Sequence, residues 1–163
     1  MMPPNLEIKA EDHDLKSSYP IPHTPYLISH TQMNPIFKPG DTKVWQKKVQ
    51  PGDVAAFEGE QVHPVCSTFA LGREMEWASR LFVLQMREEE EEGIGTMLEI
   101  QHKAPALVGE VLEITATVEQ LVKNELLCSI EVKVGERVVA VGRTGQKVLK
   151  RVALEKIFKR LEE

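Results

Sequence analysis

Two hydroxyls, two carboxylates and one imidazole are the groups of this chain placed to do chemistry. Ser67 and Thr68 open an apolar segment, Glu74 and Glu76 interrupt it, and His102 follows in a later segment of alternating residues. A carboxylate enclosed by apolar side chains becomes a better base near neutral pH, because desolvation disfavours its charged form. An imidazole exchanges protons near its ordinary value of ~6.5. A hydroxyl can attack, or hold a water that attacks. Each also has a plain structural use: a helix N-cap for Ser67 or Thr68, a solvent-facing rim carboxylate for Glu76, and a core histidine satisfied by a backbone carbonyl for His102. Glu74 lies ~200° around a helix from Glu76 and is expected to be the ordinary surface carboxylate of the two.

The elements that must position these groups follow from the apolar pattern. Between Phe69 and Met86 the apolar residues cover most of a helix circumference, so the helix is buried on most sides. Two Pro-Gly-Asp turns, at residues 39–41 and 51–53, bound a strand over Lys43–Gln50. Val54–Phe57 is a short apolar stretch, and Gly59 and Pro64 mark a loop before the helix. The acidic run Glu88–Glu92 opposes the helix dipole, which predicts a frayed, solvated helix end.

After Gly93 the period changes to two. Leu98, Ile100 and His102 share one strand face. Leu112, Ile114, Ala116 and Val118 share a face of the next strand, and Leu126, Cys128, Ile130 and Val132 a face of the one after it. Lys123-Asn124-Glu125 and Gly135-Glu136 supply turns, so the strands form an antiparallel meander that ends near Lys150. Val152 to Glu163 reads as a short amphipathic helix. Residues 1–36, with prolines at 20, 22 and 25, form an irregular arm ahead of a domain spanning 37–163. The predicted class is α+β, one antiparallel sheet around one long central helix. The helix is too apolar for a single sheet to cover, which predicts a homodimer.

Bulk properties narrow the function. A net charge of −5 in 163 residues argues against a nucleic-acid surface. No apolar run approaches the ~18 residues of a membrane span, and no secretion signal is visible, so the expectation is a cytoplasmic protein. Cys66 and Cys128 show no metal spacing and read as two free thiols.

The segments Ser67-Thr68-Phe69, Met75-Glu76-Trp77-Ala78, Gly95-Thr96, His102-Lys103-Ala104 and Gly109 make the chain resemble the hotdog-fold acyl-CoA thioesterases, in particular the fluoroacetyl-CoA thioesterase-like subgroup. The resemblance covers roughly residues 38–150. It implies a hotdog fold, a homodimer or dimer of dimers, an acyl-CoA substrate, and neither metal nor resident cofactor. It also implies that Thr68, Glu76 and His102 carry catalysis. The backbone N–H at Gly95 or beside it is then a candidate oxyanion donor.

Val62 and His63 stand where the fluoroacetyl-specific enzyme has a phenylalanine lid. Gly142-Arg-Thr-Gly-Gln-Lys147 replaces that subgroup's late Gly-rich stretch with His and Arg. Arg143 and Lys147, with Lys150 and Arg151, are the candidate cations for the phosphates of coenzyme A. Eight residues of helix span ~12 Å, so Thr68 and Glu76 of one chain cannot both reach one thioester carbon if both lie on the helix, which favours a site at the dimer interface. Two readings stay open beside hydrolysis. One is an acyl-thioester dehydratase or hydratase, pairing His63 with Glu76; the other is a non-catalytic acyl-CoA-binding dimer.

Overall fold

The computed structural model describes residues 36–162, so the expected arm lies almost wholly outside the described residues. Strand β1 (Thr42–Lys48) leads through one turn of 3-10 helix (Pro51–Asp53) to a small hairpin, β2 (Val54–Phe57) and β3 (Glu60–Cys66). Helix α1 (Thr68–Met86) follows, then β4 (Glu91–His102), β5 (Val111–Val122), β6 (Glu125–Val134), β7 (Arg137–Lys150) and helix α2 (Arg151–Leu161). Five strands form one antiparallel sheet in the order β1-β5-β6-β7-β4, and β2-β3 stands apart.

The meander over β5, β6 and β7 is the predicted one and its alternation sets the core, but β4 does not lead it: β4 pairs with β7, while β1 takes the place beside β5. Leu112, Ile114, Ala116 and Val118 of β5 and Leu126, Cys128, Ile130 and Val132 of β6 are all buried. They meet Leu71, Met75, Ala78, Phe82 and Val83 of α1, likewise buried. Each large side chain so buried is worth about 1.5–3 kcal/mol relative to exposure. The helix therefore lies on one face of the sheet, with its other side bearing Phe69, Trp77 and Leu84 in solvent.

Two local expectations are overturned. The stretch from Gly59 to Pro64 is mostly strand, because Pro64 sits on an exposed two-stranded hairpin where a missing N–H costs no ladder bond. The acidic run is not uniformly solvated. Glu88–Glu90 are exposed, but Glu91 is buried at the start of β4, its carboxylate accepting from the N–H of Glu88. Glu92 pairs with Arg80 at 2.6 Å and with Arg151 at 3.1 Å. Burial pushes the Glu92 carboxyl up, but the Gly93 N–H and Arg80 outweigh it and hold it below its ordinary range.

Strands β4 and β7 approach closely at Gly142. A side chain there would drive its Cβ into the carbonyl oxygen of Glu99, so only glycine fits.

Candidate active site

Ser67 is the N-cap of α1: its Oγ accepts from the N–H of Ala70 at 3.1 Å. Its own N–H donates to the Asp53 carbonyl at 2.8 Å, which ties the helix start to the turn before β2. Thr68 is thereby relieved of capping. Its side chain is exposed on the first helical residue, and its Oγ1 lies 3.0 Å from Nε2 of His102 at the end of β4. Thr68 and His102 thus meet within one chain, beside the N–H groups at the start of a 19-residue helix.

Two turns further on, the half-buried Glu76 meets the other end of β4. A Cβ built on Gly95 would stand 2.5 Å from Glu76 Oε1, so the carboxylate occupies the space a side chain would fill. Between the two points, Gly72 faces Leu98 and Ile100. One side of α1 therefore runs along β4, with Thr68 at His102 and Glu76 at Gly95. These are two separate contacts and not one cluster.

The family of the fluoroacetyl-CoA-specific thioesterase FlK matches residues 49–152. A Thermus thermophilus thioesterase superfamily member has 35% identity to this chain over 80% of it and 96% of its own length, with a TM-score of 0.75. The chain belongs to the fluoroacetyl-CoA-specific thioesterase family. A hot-dog-like protein of Thermanaerovibrio acidaminovorans (24% identity, 76% of this chain and 93% of that one, TM-score 0.70) shares the fold. So does the fluoroacetyl-CoA thioesterase FlK itself (20% identity, 77% and 96%, TM-score 0.69). A comparison with curated proteins found no match. The sheet wrapped around α1 is thus the hotdog fold, and the family's activity class is thioester hydrolysis.

Within that family frame the second glutamate needs a correction. Glu74 is not a surface carboxylate. It is 6% exposed, and it accepts from Trp45 Nε1 at 2.8 Å and from Arg73 Nε at 2.9 Å. Arg73 also pairs with the buried Asp53 at 3.0 Å. Burial pushes the Asp53 carboxyl up, but the Gln50 N–H and Arg73 outweigh it and leave it below its ordinary value. The side of α1 predicted to face water instead packs on β1 and the 3-10 turn. Beside this cluster an open cleft of about 730 Å³, lined by Trp45, Lys47, Arg73, Glu74, Glu76, Trp77 and Arg80, reaches from β1 to the Glu76 carboxylate.

The other predicted binding residues lie elsewhere. Arg143 bonds Glu119 through Nε at 2.9 Å and Nη2 at 2.6 Å, in a depression with Glu99, Thr115 and Thr117 on the sheet face away from α1. Lys147, four residues on in β7, shares that face by alternation. Val62 and His63 are exposed on β3, apart from Glu76. Cys66 and Cys128 are buried free thiols, pushed up by burial to about 11 and about 12. Among the described residues no group of three or more His, Cys, Asp or Glu is placed to hold a metal, and no helix is long and apolar enough to cross a membrane.

One residue near the site has no counterpart in the sequence reading. Gln146 of β7 is 1% exposed, and its amide reaches the backbone of α1 at Glu76. Its signal was a lone amide on a strand face otherwise set against the core, between Thr144 and Val148.

Proposed function

We propose that this protein hydrolyses an acyl-CoA thioester, with Thr68, Glu76 and His102 as its catalytic residues and a site completed by two copies of the chain. The observation that carries the reading is the 3.0 Å contact of an exposed, uncommitted Thr68 hydroxyl with His102. Water, or Thr68 in a first step, attacks the thioester carbonyl carbon. Glu76 accepts the proton lost by the attacking oxygen, and N–H groups at the start of α1 or at Gly95 take up the charge on the carbonyl oxygen. The C–S bond then breaks, and His102 gives the sulfur its proton. Where Thr68 attacked first, a water then adds to the resulting Thr68 ester and the threonine oxygen leaves with a proton, so that on either route the products are a carboxylate and free coenzyme A.

The separation of the two contacts supports a shared site. Among the described residues strand β4 pairs with β7 on one edge only. Two β4 edges paired antiparallel about the point midway between Gly95 and His102 set Gly95 of one copy opposite His102 of the second, at the ~4.8 Å strand spacing. Glu76 of one copy then joins Thr68 and His102 of the other. The exposed Met97 and Leu98 of β4 become covered in the same step. This arrangement gives a homodimer.

The acyl group differs from fluoroacetate in this reading. The hairpin carrying Val62 and His63 presents Phe57 against Phe69, ring centroids 6.2 Å apart and both exposed beside Thr68. An aromatic wall of this kind suits a larger or aryl acyl chain. The phosphates of coenzyme A find Lys47 in the cleft by Glu76, whereas Arg80 is already held by Glu92 and Arg143 by Glu119.

Free-thiol release from short, long and aryl acyl-CoAs tests the activity, using wild type, Thr68→Ala, Glu76→Gln and His102→Ala. Turnover on none of them, with CoA esters still bound, would replace hydrolysis by a binding role. Water loss from a 3-hydroxyacyl-CoA without thiol release would replace it by dehydration. Mixing Thr68→Ala and Glu76→Gln subunits tests the shared site. Restored turnover supports it, since one intact site then forms across the pair; no restoration places the residues in one chain.

A further inference from the structure

A buried amide next to the Glu76–Gly95 contact bonds the backbone of α1. Gln146 Nε2 donates to the Glu76 carbonyl at 3.1 Å and to Ser79 Oγ at 2.8 Å. Ser79 Oγ in turn donates to the same Glu76 carbonyl at 2.9 Å. Both N–H bonds of the amide and the hydroxyl proton are used, and the three groups close a ring. Gln146 and Ser79 are each 1% exposed. A side chain of such a kind is costly to bury unless every donor is met, and a leucine would pack a strand–helix contact without that cost.

The placement gives the amide a purpose. Gln146 is the register partner of Gly95 across β7 and β4, so their side-chain positions lie on the same sheet face. From this one pair, Gln146 grips the backbone of Glu76 while Gly95, lacking a side chain, leaves the room its carboxylate occupies. The backbone of residue 76 and its carboxylate are thus set by adjacent residues of the sheet. The hydrogen bonds of Glu76 among the described residues fall on its carbonyl, so the carboxylate remains open to substrate or water.

We propose that Gln146, acting with Ser79, is the positioning residue for Glu76: it fixes the rotation of α1 at that turn, so that the carboxylate rests over the bare backbone of Gly95. This rests on the hydrolase reading of Glu76. The test compares Gln146→Leu and Ser79→Ala with wild type in the thiol-release assay, alone and combined with Glu76→Gln. Gln146→Leu should lower kcat about 10- to 100-fold with KM almost unchanged, the cost of a carboxylate displaced by about 1 Å. Ser79→Ala removes two bonds of the ring but keeps the direct bond from Gln146 to the Glu76 carbonyl and loses little volume, so it should lower kcat less. In the Glu76→Gln background Gln146→Leu should cost nothing more, because the base it positions is already gone. An equal loss in both backgrounds, or no loss of kcat, would overturn the assignment. Crystal structures of wild type and Gln146→Leu give a readout that does not depend on turnover. The Glu76 carboxylate should leave its place over Gly95 in the variant, and a carboxylate that stays put overturns the proposal whatever the activity of the protein proves to be.

Discussion

Glu74 and Glu76 stand two residues apart on one helix and are held in opposite ways. Glu74 is buried on the β1 side, its two oxygens committed to Trp45 and Arg73. Glu76 is half-buried on the β4 side, its backbone gripped by Gln146 and Ser79 and its carboxylate resting over Gly95. In Glu74 the charge is satisfied and the group joins the helix to the rest of the fold. In Glu76 the fold fixes the residue but leaves the charge for other use. A carboxylate whose lone pairs are taken is a poor base, so of the two only Glu76 suits the role proposed for it.

The sharpest way to break this contrast is to neutralise each glutamate in turn. Glu76→Gln should lower kcat for thioester hydrolysis about 10²- to 10⁴-fold, the usual worth of a positioned base, with the melting temperature nearly unchanged. Glu74→Gln should do the reverse. Its amide sets N–H groups against the Trp45 or Arg73 donors, leaving a donor unmet at about 1–3 kcal/mol, while kcat stays close to wild type. Equal loss of kcat in both variants, read beside thermal melts, would erase the distinction.

A second comparison sharpens the role of Gly95 against that of Gly142. An alanine at Gly95 meets only the flexible end of Glu76, so the chain should fold while the carboxylate moves away, with a kcat loss of about 10- to 100-fold. An alanine at Gly142 would run into the Glu99 backbone, which cannot yield without parting β4 from β7. Gly142→Ala should therefore fail in stability, measured by urea unfolding, before any effect on the site can be read. A stable Gly142→Ala would show that β4 is not seated as described.

Much of this was legible in the sequence, for reasons that the structure makes plain. The β5 and β6 faces could be read because each alternates against one core, and period two survives any register. Thr68 and His102 could be matched to helix start and strand end, since each sits at a boundary that local signals mark. The burial of Glu74 could not be read. An apolar circumference gives no clue to which side a second strand will cover, and Trp45, Arg73 and Asp53 reach Glu74 from three separate elements. The acidic run misled for the same reason: the cations that neutralise Glu92 are Arg80 and Arg151, 12 and 59 residues away. The β2-β3 hairpin was masked by Gly59 and Pro64, breakers that an exposed two-stranded edge tolerates.

On the β1 side, Arg73→Ala tests how far the committed region is separate from the site. It strips one partner from Glu74 and one from Asp53, both buried, and should cost about 2 kcal/mol, a drop of roughly 4–8 °C in Tm for a domain of this size. Because Ser67 hangs on the Asp53 carbonyl and not on its carboxylate, the Thr68–His102 pair should persist and kcat should fall by less than the Glu76 variants show. Loss of activity in proportion to Glu76→Gln would mean that the two sides of the helix work as one unit.

The smallest effect is a pH dependence that belongs to the β1 side. The Gln50 N–H and Arg73 hold the Asp53 carboxyl below its ordinary value against the opposing pull of burial. A carboxyl depressed on folding contributes stability that is fully present above its unfolded value, ~3.9 for aspartate, and is lost as pH falls through the folded value. Wild type should therefore lose unfolding free energy as pH drops below about 4. Asp53→Asn should begin less stable at pH 7, having lost the ion pair, yet fall less steeply in acid because the titrating group is gone. Urea midpoints from pH 7 to 3 separate the cases. Parallel curves would mean that Glu92, depressed by Gly93 and Arg80 at the other end of the helix, and not the Asp53 cluster, sets the acid limit of the fold.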